Sequence, residues 1–581
     1  MSARAGARDA VGRTVVVVSG RKRFTVAEPV FERGPQLPLA KGSRRVRPGR
    51  MALAEIRGGR ARLLRDLGSP KRARDVLEAM LLDRGMRRGF RDRVSREAAD
   101  AARSAAERGG RRHDLTELAT FTVDPATARD FDDAVSARRE DGGVRLWIHI
   151  ADVASHVRPG SALDAEAYAR ANSTYVPGAV EPMLPPELSS DACSLTPGVD
   201  RLAVTTETLV SADGRPTGTR FYRSRIRSDV RLHYDELDEI FAGRERAPEP
   251  VAREIELTRG VAAALAARRP TSAVVVSGSE PEFHFDDGAV VDAHEVSQTE
   301  AHRLIEHVMI LCNTEVARLL EQRRIPTLYR VHEQPDPQRV AFLVDQLDAL
   351  GIPTPPLPDR LSPTEAGELV GAISRQVAAE AERRGHGREA YTTLVLRVLQ
   401  QAYYSDRNLG HAGLGTPAYA HFTSPIRRYP DLVAHRGLLS AIGEREEAPE
   451  PSAAGDAGVH CSAREREATK TERDADSVCA AFLLERELFE AGWEQRFEGE
   501  VSGVVGAGAF VCFGGDLADV YEGFLPARLL RGERYELNET ETALVGLRSG
   551  RELRLGDPVG IAVDAVDAPR GRVDLHPVEV R

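Results

Sequence analysis

Alternation of apolar and polar positions dominates the first 75 residues. It predicts strands at 14–19, 23–28, 51–56 and 60–64, separated by glycine and proline turns, the pattern of a small β-barrel. From about 71 to 112 the spacing turns helical, with apolar positions at 77–82 and a run at 95–106 set among arginines. From 113 to 442 strands and helices mix without a repeat. The clearest are a strand at 144–150 and helices at 300–322 and 339–350, the first helix carrying Leu304, Ile305, Val308, Met309 and Leu311 near helical spacing. The proline-rich stretch 353–358 reads as a connector. Residues 448–456, rich in Pro, Ala, Gly and Glu, read as a disordered or solvent-exposed loop, followed by a charged helix at 462–491. Short strands return at 497–504, 508–513, 522–526, 558–566 and 572–575. Glycines at 503, 506, 508, 514 and 515 beside Phe510 and Phe513 suit a tightly curled five-strand barrel, either a base-stacking surface or a packing module.

The chain has 581 residues, enough for roughly three or four domains. With 41% hydrophobic and 29% charged residues it has the composition of a soluble globular protein. Its longest aliphatic runs, 15–18 and 273–276, fall far short of the ~20 apolar residues a bilayer span needs. The basic first eight residues lack the apolar core of a signal peptide, so a cytoplasmic location is expected. Five scattered cysteines without a CxxC pair argue against a disulfide framework and a zinc site. The net charge of −9 hides an asymmetry: residues 1–112 carry 29 basic against 12 acidic side chains, and the remainder 51 against 77. A basic arm on an acidic body is a footprint of nucleic-acid binding, although a solvated helical face explains the arginines of 71–112 at least as well.

The densest chemistry lies at Asp124-Pro-Ala-Thr-Ala-Arg-Asp130-Phe-Asp132-Asp133. Four carboxylates that close repel one another unless cations hold them. Hard divalent ions such as Mg²⁺ take carboxylate oxygens and leave positions open for water and substrate phosphate. A pair of such ions can activate a water and stabilise the leaving oxygen of an in-line phosphodiester displacement. A solvated acidic turn is the competing reading.

Several further segments occur in a set order: Trp147-Ile-His-Ile-Ala-Asp-Val, Tyr175-Val-Pro-Gly, Pro182-Met-Leu-Pro-Pro-Glu-Leu-Ser, Ala301-His-Arg-Leu-Ile-Glu-His-Val-Met309, Leu328-Tyr-Arg-Val-His-Glu333 and Phe422-Thr-Ser-Pro-Ile-Arg-Arg-Tyr-Pro-Asp-Leu432. With the aspartate cluster they resemble the ribonuclease II/R family, whose catalytic module is the RNB domain. The resemblance is strong over 113–480, moderate over the C-terminal barrel and weak before residue 75. It implies an α+β architecture. An N-terminal cold-shock-like OB barrel would span 1–75, a basic helical linker 76–112, the mixed RNB domain 113–494 and an S1-like OB barrel 495–581. It also implies a monomeric, metal-dependent, hydrolytic 3′→5′ exoribonuclease that releases nucleoside 5′-monophosphates from single-stranded RNA, using Mg²⁺ as one or two ions, with Mn²⁺ as a substitute.

Carried over by position, Asp124, Asp130, Asp132 and Asp133 fall on the family's catalytic aspartates. Tyr175 falls on the aromatic that stacks on the terminal nucleotide, and Arg427 on the arginine near the scissile phosphate. Glu472 falls on a glutamate near the 3′ end; Tyr234 and Glu306 match residues that sense ribose hydroxyls. Asp132 and Arg427 are the expected catalytic pair. Arginine's planar fork suits phosphate oxygens, although a structural ion pair with Asp431 is the alternative for Arg427. Tyr175 can stack any base, or can pack in a core beside Pro177. His149, His156 and His332 lack partners at ligand spacing and are read as core histidines.

The chain departs from the family in four places. Residues 272–277 lack a second aromatic clamp, so looser base clamping is expected. The N-terminal part has room for one barrel, no lysine-rich tail follows the last barrel, and no endonuclease module precedes the core. Strong unwinding of structured RNA and endonuclease activity are therefore not expected. Two rival readings are an RNB protein that binds RNA without cutting it, which the full set of aspartates and Arg427 opposes, and an OB-fold binding protein, which leaves the aspartates unexplained.

Overall fold

The computed structural model describes residues 12–21, 24–86, 88–105, 110–274, 279–358, 360–514, 520–530 and 532–578. Its centre is a seven-stranded sheet in the order Val230–His233, Phe121–Asp124, Asp133–Glu140, Gly143–Ala151, Asp200–Val210, Pro216–Arg227, His113–Asp114. The two outer strands run parallel to their neighbours and the rest pair antiparallel. Period-two alternation places Leu146, Ile148 and Ile150 on one face, where the helices Ala252–Ala267 and Glu300–Gln322 cover them and complete the main core. Thr206 Oγ1 and Cys312 Sγ, 3.3 Å apart, mark the contact between the sheet and the second helix.

The N-terminal strands form a five-stranded sheet, Leu37–Pro38, Phe24–Pro29, Gly12–Arg21, Met51–Arg57 and Arg60–Gly68 in spatial order. It rolls up where the chain after Pro38 meets the last strand, the Ala40 N–H donating to the Ala61 carbonyl at 2.8 Å. The helix Ala73–Asp83 is tied to this sheet by Asp83, which accepts from Thr14 Oγ1 at 2.9 Å and from the Val15 N–H at 2.6 Å. The next helix, Asp92–Ser104, buries Val94, Ala98 and Ala101 in the main core, so part of the arginine-rich stretch packs against the central domain.

At the other end a closed barrel runs Arg496–Val505, Gly508–Phe513, Tyr521–Pro526, Arg572–Pro577, Pro558–Asp567. A Cβ on Gly508 would lie 2.3 Å from the Leu525 carbonyl oxygen, so the tight curl requires glycine there. Gly515 lies outside the described residues. The expected α+β architecture, a mixed central domain between two rolled OB-type β units, is present.

One reading is corrected. Residues 451–456 are not a loop but the first turns of a helix, Pro451–Ala491. Proline is tolerated in the first turn, and the small residues serve close packing rather than disorder. Ala454, Ala457 and Gly458 are buried, and a Cβ on Gly458 would stand 2.8 Å from the Tyr404 carbonyl oxygen. Among the described residues no helix is long and apolar enough to cross a membrane.

Candidate active site

Strand ends set the aspartates. Asp124 closes Phe121–Asp124, Asp133 opens Asp133–Glu140, and the connecting loop carries Asp130 and Asp132. Two anchors hold that loop. The Phe131 N–H donates to Ser194 Oγ at 3.0 Å, and Arg231 donates to the carbonyls of Pro125 and Ala126, each at 3.0 Å, and of Ala128 at 3.3 Å, its guanidinium centre 4.6 Å from the centre of the Phe131 ring. Arg231 lies two residues before His233, which pairs in register with Asp124.

Asp132 is 3% exposed. Its Oδ1 accepts the Ile426 N–H at 2.8 Å, and its Oδ2 lies 3.5 Å from Arg427 Nε without a hydrogen-bond partner. Asp124 Oδ2 is likewise buried and without a partner. Burial drives the Asp132 carboxyl well above the usual carboxylate range, with Arg427 and the Ile426 N–H only partly opposing it. Burial also raises Asp124 and Asp133, and Asp133 adds repulsion at Asp124. Carboxylates that are buried, acceptor-only and unmet by donors are a donor set that a hard divalent cation fits. The aspartate cluster is therefore a candidate site for such ions.

The long motif at 422–432 supplies the cation. Arg427 sits 48% exposed at the mouth of the cluster, its Nη2 donating to Ser424 Oγ at 3.3 Å. The ion pair with Asp431 belongs instead to Arg428, at 2.7 Å, while the same Asp431 oxygen accepts the Ser424 N–H at 2.8 Å. The two adjacent arginines are thereby separated into one that braces the loop and one that faces the carboxylates.

Tyr175 is 38% exposed, which rules out core packing. Its hydroxyl donates to Asp130 Oδ2 at 2.9 Å, and its backbone N–H donates to Glu472 Oε1 at 2.8 Å, drawing the helix Pro451–Ala491 to the site. A cavity of about 220 Å³ lies here, lined by Tyr175, Arg427, Arg428, Glu472, Tyr404 and Glu465 among others. Tyr234 opens the helix Tyr234–Phe241 and stacks on His302, with ring centres 3.9 Å apart. Its hydroxyl is held above the usual phenol range by burial first and then by the charges of Asp133 and Asp124. Glu306 pairs with Arg269 at 3.4 Å. The segment compared for a second aromatic clamp overlaps residues 275–278, outside the described set. Of the three histidines, His149 is fully buried between Ser136 Oγ (3.2 Å) and Thr205 Oγ1 (2.9 Å), a satisfied core residue.

Sequence reasoning missed Arg231, Phe131, Ser194, Ser424 and His302. Arg231 reaches loop carbonyls more than a hundred residues earlier in the chain, a relation no local pattern encodes. Ser424 lies inside a motif already singled out, where a small hydroxyl between Thr and Pro was the available signal.

Against known proteins, residues 112–444 match the RNB domain. The chain is 36% identical over 483 residues to ribonuclease R of Escherichia coli, covering 80% of this chain and 57% of that protein. It is 34% identical over 529 residues to ribonuclease R of Aquifex aeolicus, covering 90% of this chain and 72% of that one. The chain thus spans little more than half the length of the first of these relatives. Among solved structures, Mycoplasma genitalium RNase R in complex with ribose-methylated single-stranded RNA superposes with a TM-score of 0.86 at 23% identity, over 98% of this chain and 90% of that one, a likeness of fold. More than half of the chain matches one family, over a stretch that contains the aspartate cluster and the arginine motif just described: it belongs to the RNB-domain family.

Proposed function

We propose that this chain is a metal-dependent hydrolytic 3′→5′ exoribonuclease that shortens single-stranded RNA to nucleoside 5′-monophosphates, acting as a cytoplasmic monomer. The observation that carries the reading is the convergence of buried, donorless carboxylate oxygens on Asp124 and Asp132 with the exposed guanidinium of Arg427. Asp124, Asp130, Asp132 and Asp133 would hold divalent ions, Mg²⁺ by preference with Mn²⁺ able to substitute. Bound there, such ions supply an activated water and stabilise the leaving oxygen.

The chain's own residues do the rest. Arg427 places a fixed planar charge on the scissile phosphate, where negative charge grows in the transition state. Tyr175, tethered through Asp130 and Glu472, presents a ring on which the terminal base of any identity stacks. The Glu472 carboxylate lies beside the 3′-terminal sugar. Tyr234 and Glu306 read ribose hydroxyls, and the 2′-hydroxyl is the handle that separates RNA from DNA. The rolled N-terminal sheet with its arginines adds sequence-neutral affinity through phosphate contacts.

End-labelled single-stranded RNA incubated with Mg²⁺ and resolved at single-nucleotide resolution tests the reading. A ladder of 3′-shortened products with released mononucleotides, silenced by chelator, is expected. Internal cuts, or cleavage that persists in chelator, would overturn it.

A further inference from the structure

The face of the central sheet opposite the Asp133 side chain carries a second group of aromatic and basic side chains. Residues opposite one another on antiparallel strands share a face, and successive residues alternate. Ile150 pairs with Asp133, so that carboxylate belongs to the face of Leu146, Ile148 and Ile150. Trp147 has the other parity and pairs with Ser136 on one side and Glu207 on the other. Arg138 is two residues from Ser136, Arg220 pairs with Glu207, and Tyr222 is two residues from Arg220. Arg138, Trp147, Glu207, Arg220 and Tyr222 therefore form one stripe across four strands, about 10 Å along the strand from the Asp133 row.

This stripe lines an open groove of about 700 Å³, within the range of small-molecule sites. Its aromatic part is organised: Tyr222 donates to Glu207 Oε2 at 2.7 Å, and His113 lies over Tyr222 with ring centres 4.3 Å apart. Arg138 covers the Trp147 ring at 5.2 Å, yet is 61% exposed and held only by Glu140, so it is free to swing aside. Three arginines, 138, 220 and 323, face a single carboxylate, Glu207. Arg220 is ion-paired to Glu207 through one guanidinium nitrogen, yet 66% exposed. Arg323 donates to the Ala441 carbonyl and has no carboxylate partner among the described residues.

We propose that this groove is a second nucleotide site, taking one nucleoside 5′-monophosphate. Its base inserts beside Trp147, Tyr222 and His113, and its phosphate meets Arg220 and Arg323, whose planar forks match phosphate oxygens. The volume accommodates a single nucleotide and the excess positive charge selects an anion. The site goes beyond the catalytic reading and does not depend on it. Where both hold, the enzyme carries a site for its own product on the far side of its catalytic sheet.

The chain has two tryptophans, so Trp493→Phe leaves Trp147 as the only indole reporter. Titration of that full-length variant with 5′-AMP in chelator, where no turnover occurs, should give a saturable change in emission. The response should persist in Arg427→Ala and weaken about tenfold or more when Arg220→Ala and Arg323→Ala are combined, as expected for the loss of bidentate phosphate contacts. Both arginines are solvent-exposed, and an unchanged thermal melt confirms an intact fold. Equilibrium dialysis of labelled 5′-AMP should give one equivalent bound to Arg427→Ala at saturation, and an affinity about tenfold or more weaker once the two groove arginines are also replaced. A response produced equally by adenosine, one seen only with RNA oligomers, one lost in Arg427→Ala, or no bound nucleotide in the dialysis would overturn the assignment. Failure of RNA cleavage would leave these binding outcomes unaffected, so the two readings fail separately.

Discussion

Asp132 and Asp152 are both almost wholly buried and stand at the same end of the strand Gly143–Ala151, yet their surroundings are opposite. Asp152 Oδ2 accepts from Arg112 at 2.7 Å, Ser155 Oγ at 2.6 Å and Arg223 Nε at 2.9 Å, and Arg223 continues to Glu446 at 2.8 Å. Burial alone would raise its carboxyl, but Arg223 and Arg112 hold it well below the usual range. Asp132 receives one backbone N–H and a more distant guanidinium, leaves an oxygen without a donor, and is pushed upward. The contrast teaches that burial of charge does not mark a site. Burial left uncompensated does, because the fold carries an electrostatic cost that a bound cation removes.

The largest effect comes from breaking the uncompensated member. Asp132→Asn should lower single-turnover cleavage by about a thousandfold or more, ~4 kcal/mol in barrier, while filter binding of RNA stays near wild type. A rate within about tenfold of wild type would remove Asp132 from the chemistry. The metal-free protein sharpens the comparison. A carboxyl whose folded value is raised binds protons more tightly folded than unfolded, so it costs stability as pH rises above about 4. Asp132→Asn should therefore raise the melting temperature of metal-free protein at neutral pH and reduce the further rise caused by Mg²⁺. Unchanged melting with and without Mg²⁺ would break the contrast.

Asp152→Asn should act with the opposite sign. Removing one partner from a satisfied buried pair strands Arg223, and such losses run to ~3–5 kcal/mol of stability, measurable by denaturant titration. The pH dependence also reverses. A depressed folded value contributes stability that is present above about 4 and is lost as pH falls from there through the folded value. Cleavage per folded molecule should be preserved. If Asp152→Asn instead proved neutral in stability, the pair would have to be counted with those whose desolvation cancels their attraction.

Arg231→Ala gives a third, smaller effect that falls between the two. Arg231 touches loop carbonyls and the Phe131 ring, so it positions the Asp130–Asp132 turn. A fall in kcat of roughly ten- to a hundredfold with little change in KM is expected, since misplacement by about 1 Å costs rates of that order. A merely structural role would instead depress melting and leave kcat per folded molecule intact. Arg231→Lys, which keeps the charge without the planar fork, should rescue only part of the loss.

The central strands were legible because period two survives in Val144–Ile150, and the aspartates because four carboxylates in ten residues have few other uses. The C-terminal barrel and the rolled N-terminal sheet followed from alternation and glycine. Composition misled at 451–456, where Pro and Gly are ordinarily loop signals; the helix they open approaches the Tyr404 backbone closely at Gly458. Local pattern could not choose between Arg427 and Arg428 as the partner of Asp431, since both lie within one helical turn of it. Only the local chain path, with Ser424 accepting from one and donating its N–H to the partner of the other, decides. The contacts of Arg231 and His302 and the groove around Trp147 depend on tertiary neighbours, which no local pattern encodes.

The smallest effect tests how far Tyr175 belongs to the uncompensated group. Its hydroxyl donates to Asp130 Oδ2 at 2.9 Å, and its ring is the platform proposed for the terminal base. Tyr175→Phe keeps the ring and removes one hydrogen bond, ~0.5–1.5 kcal/mol, so initial rates on long RNA should change by roughly two- to tenfold at most. Tyr175→Ala removes the platform as well. On long RNA, phosphate contacts along the chain still hold the substrate and the initial rate should barely differ from that of Tyr175→Phe. On short RNA the stack is a larger share of what binding remains, so the smallest undegraded product should lengthen by a few nucleotides, at roughly 1–3 kcal/mol per lost stack. A buried aromatic would instead lose ~3–5 kcal/mol of stability on truncation and slow all lengths together. With the ring 38% exposed, melting should stay close to wild type in both variants. End products mapped beside a melt decide the matter: an unshifted end product with depressed melting would move Tyr175 from the substrate platform to the fold.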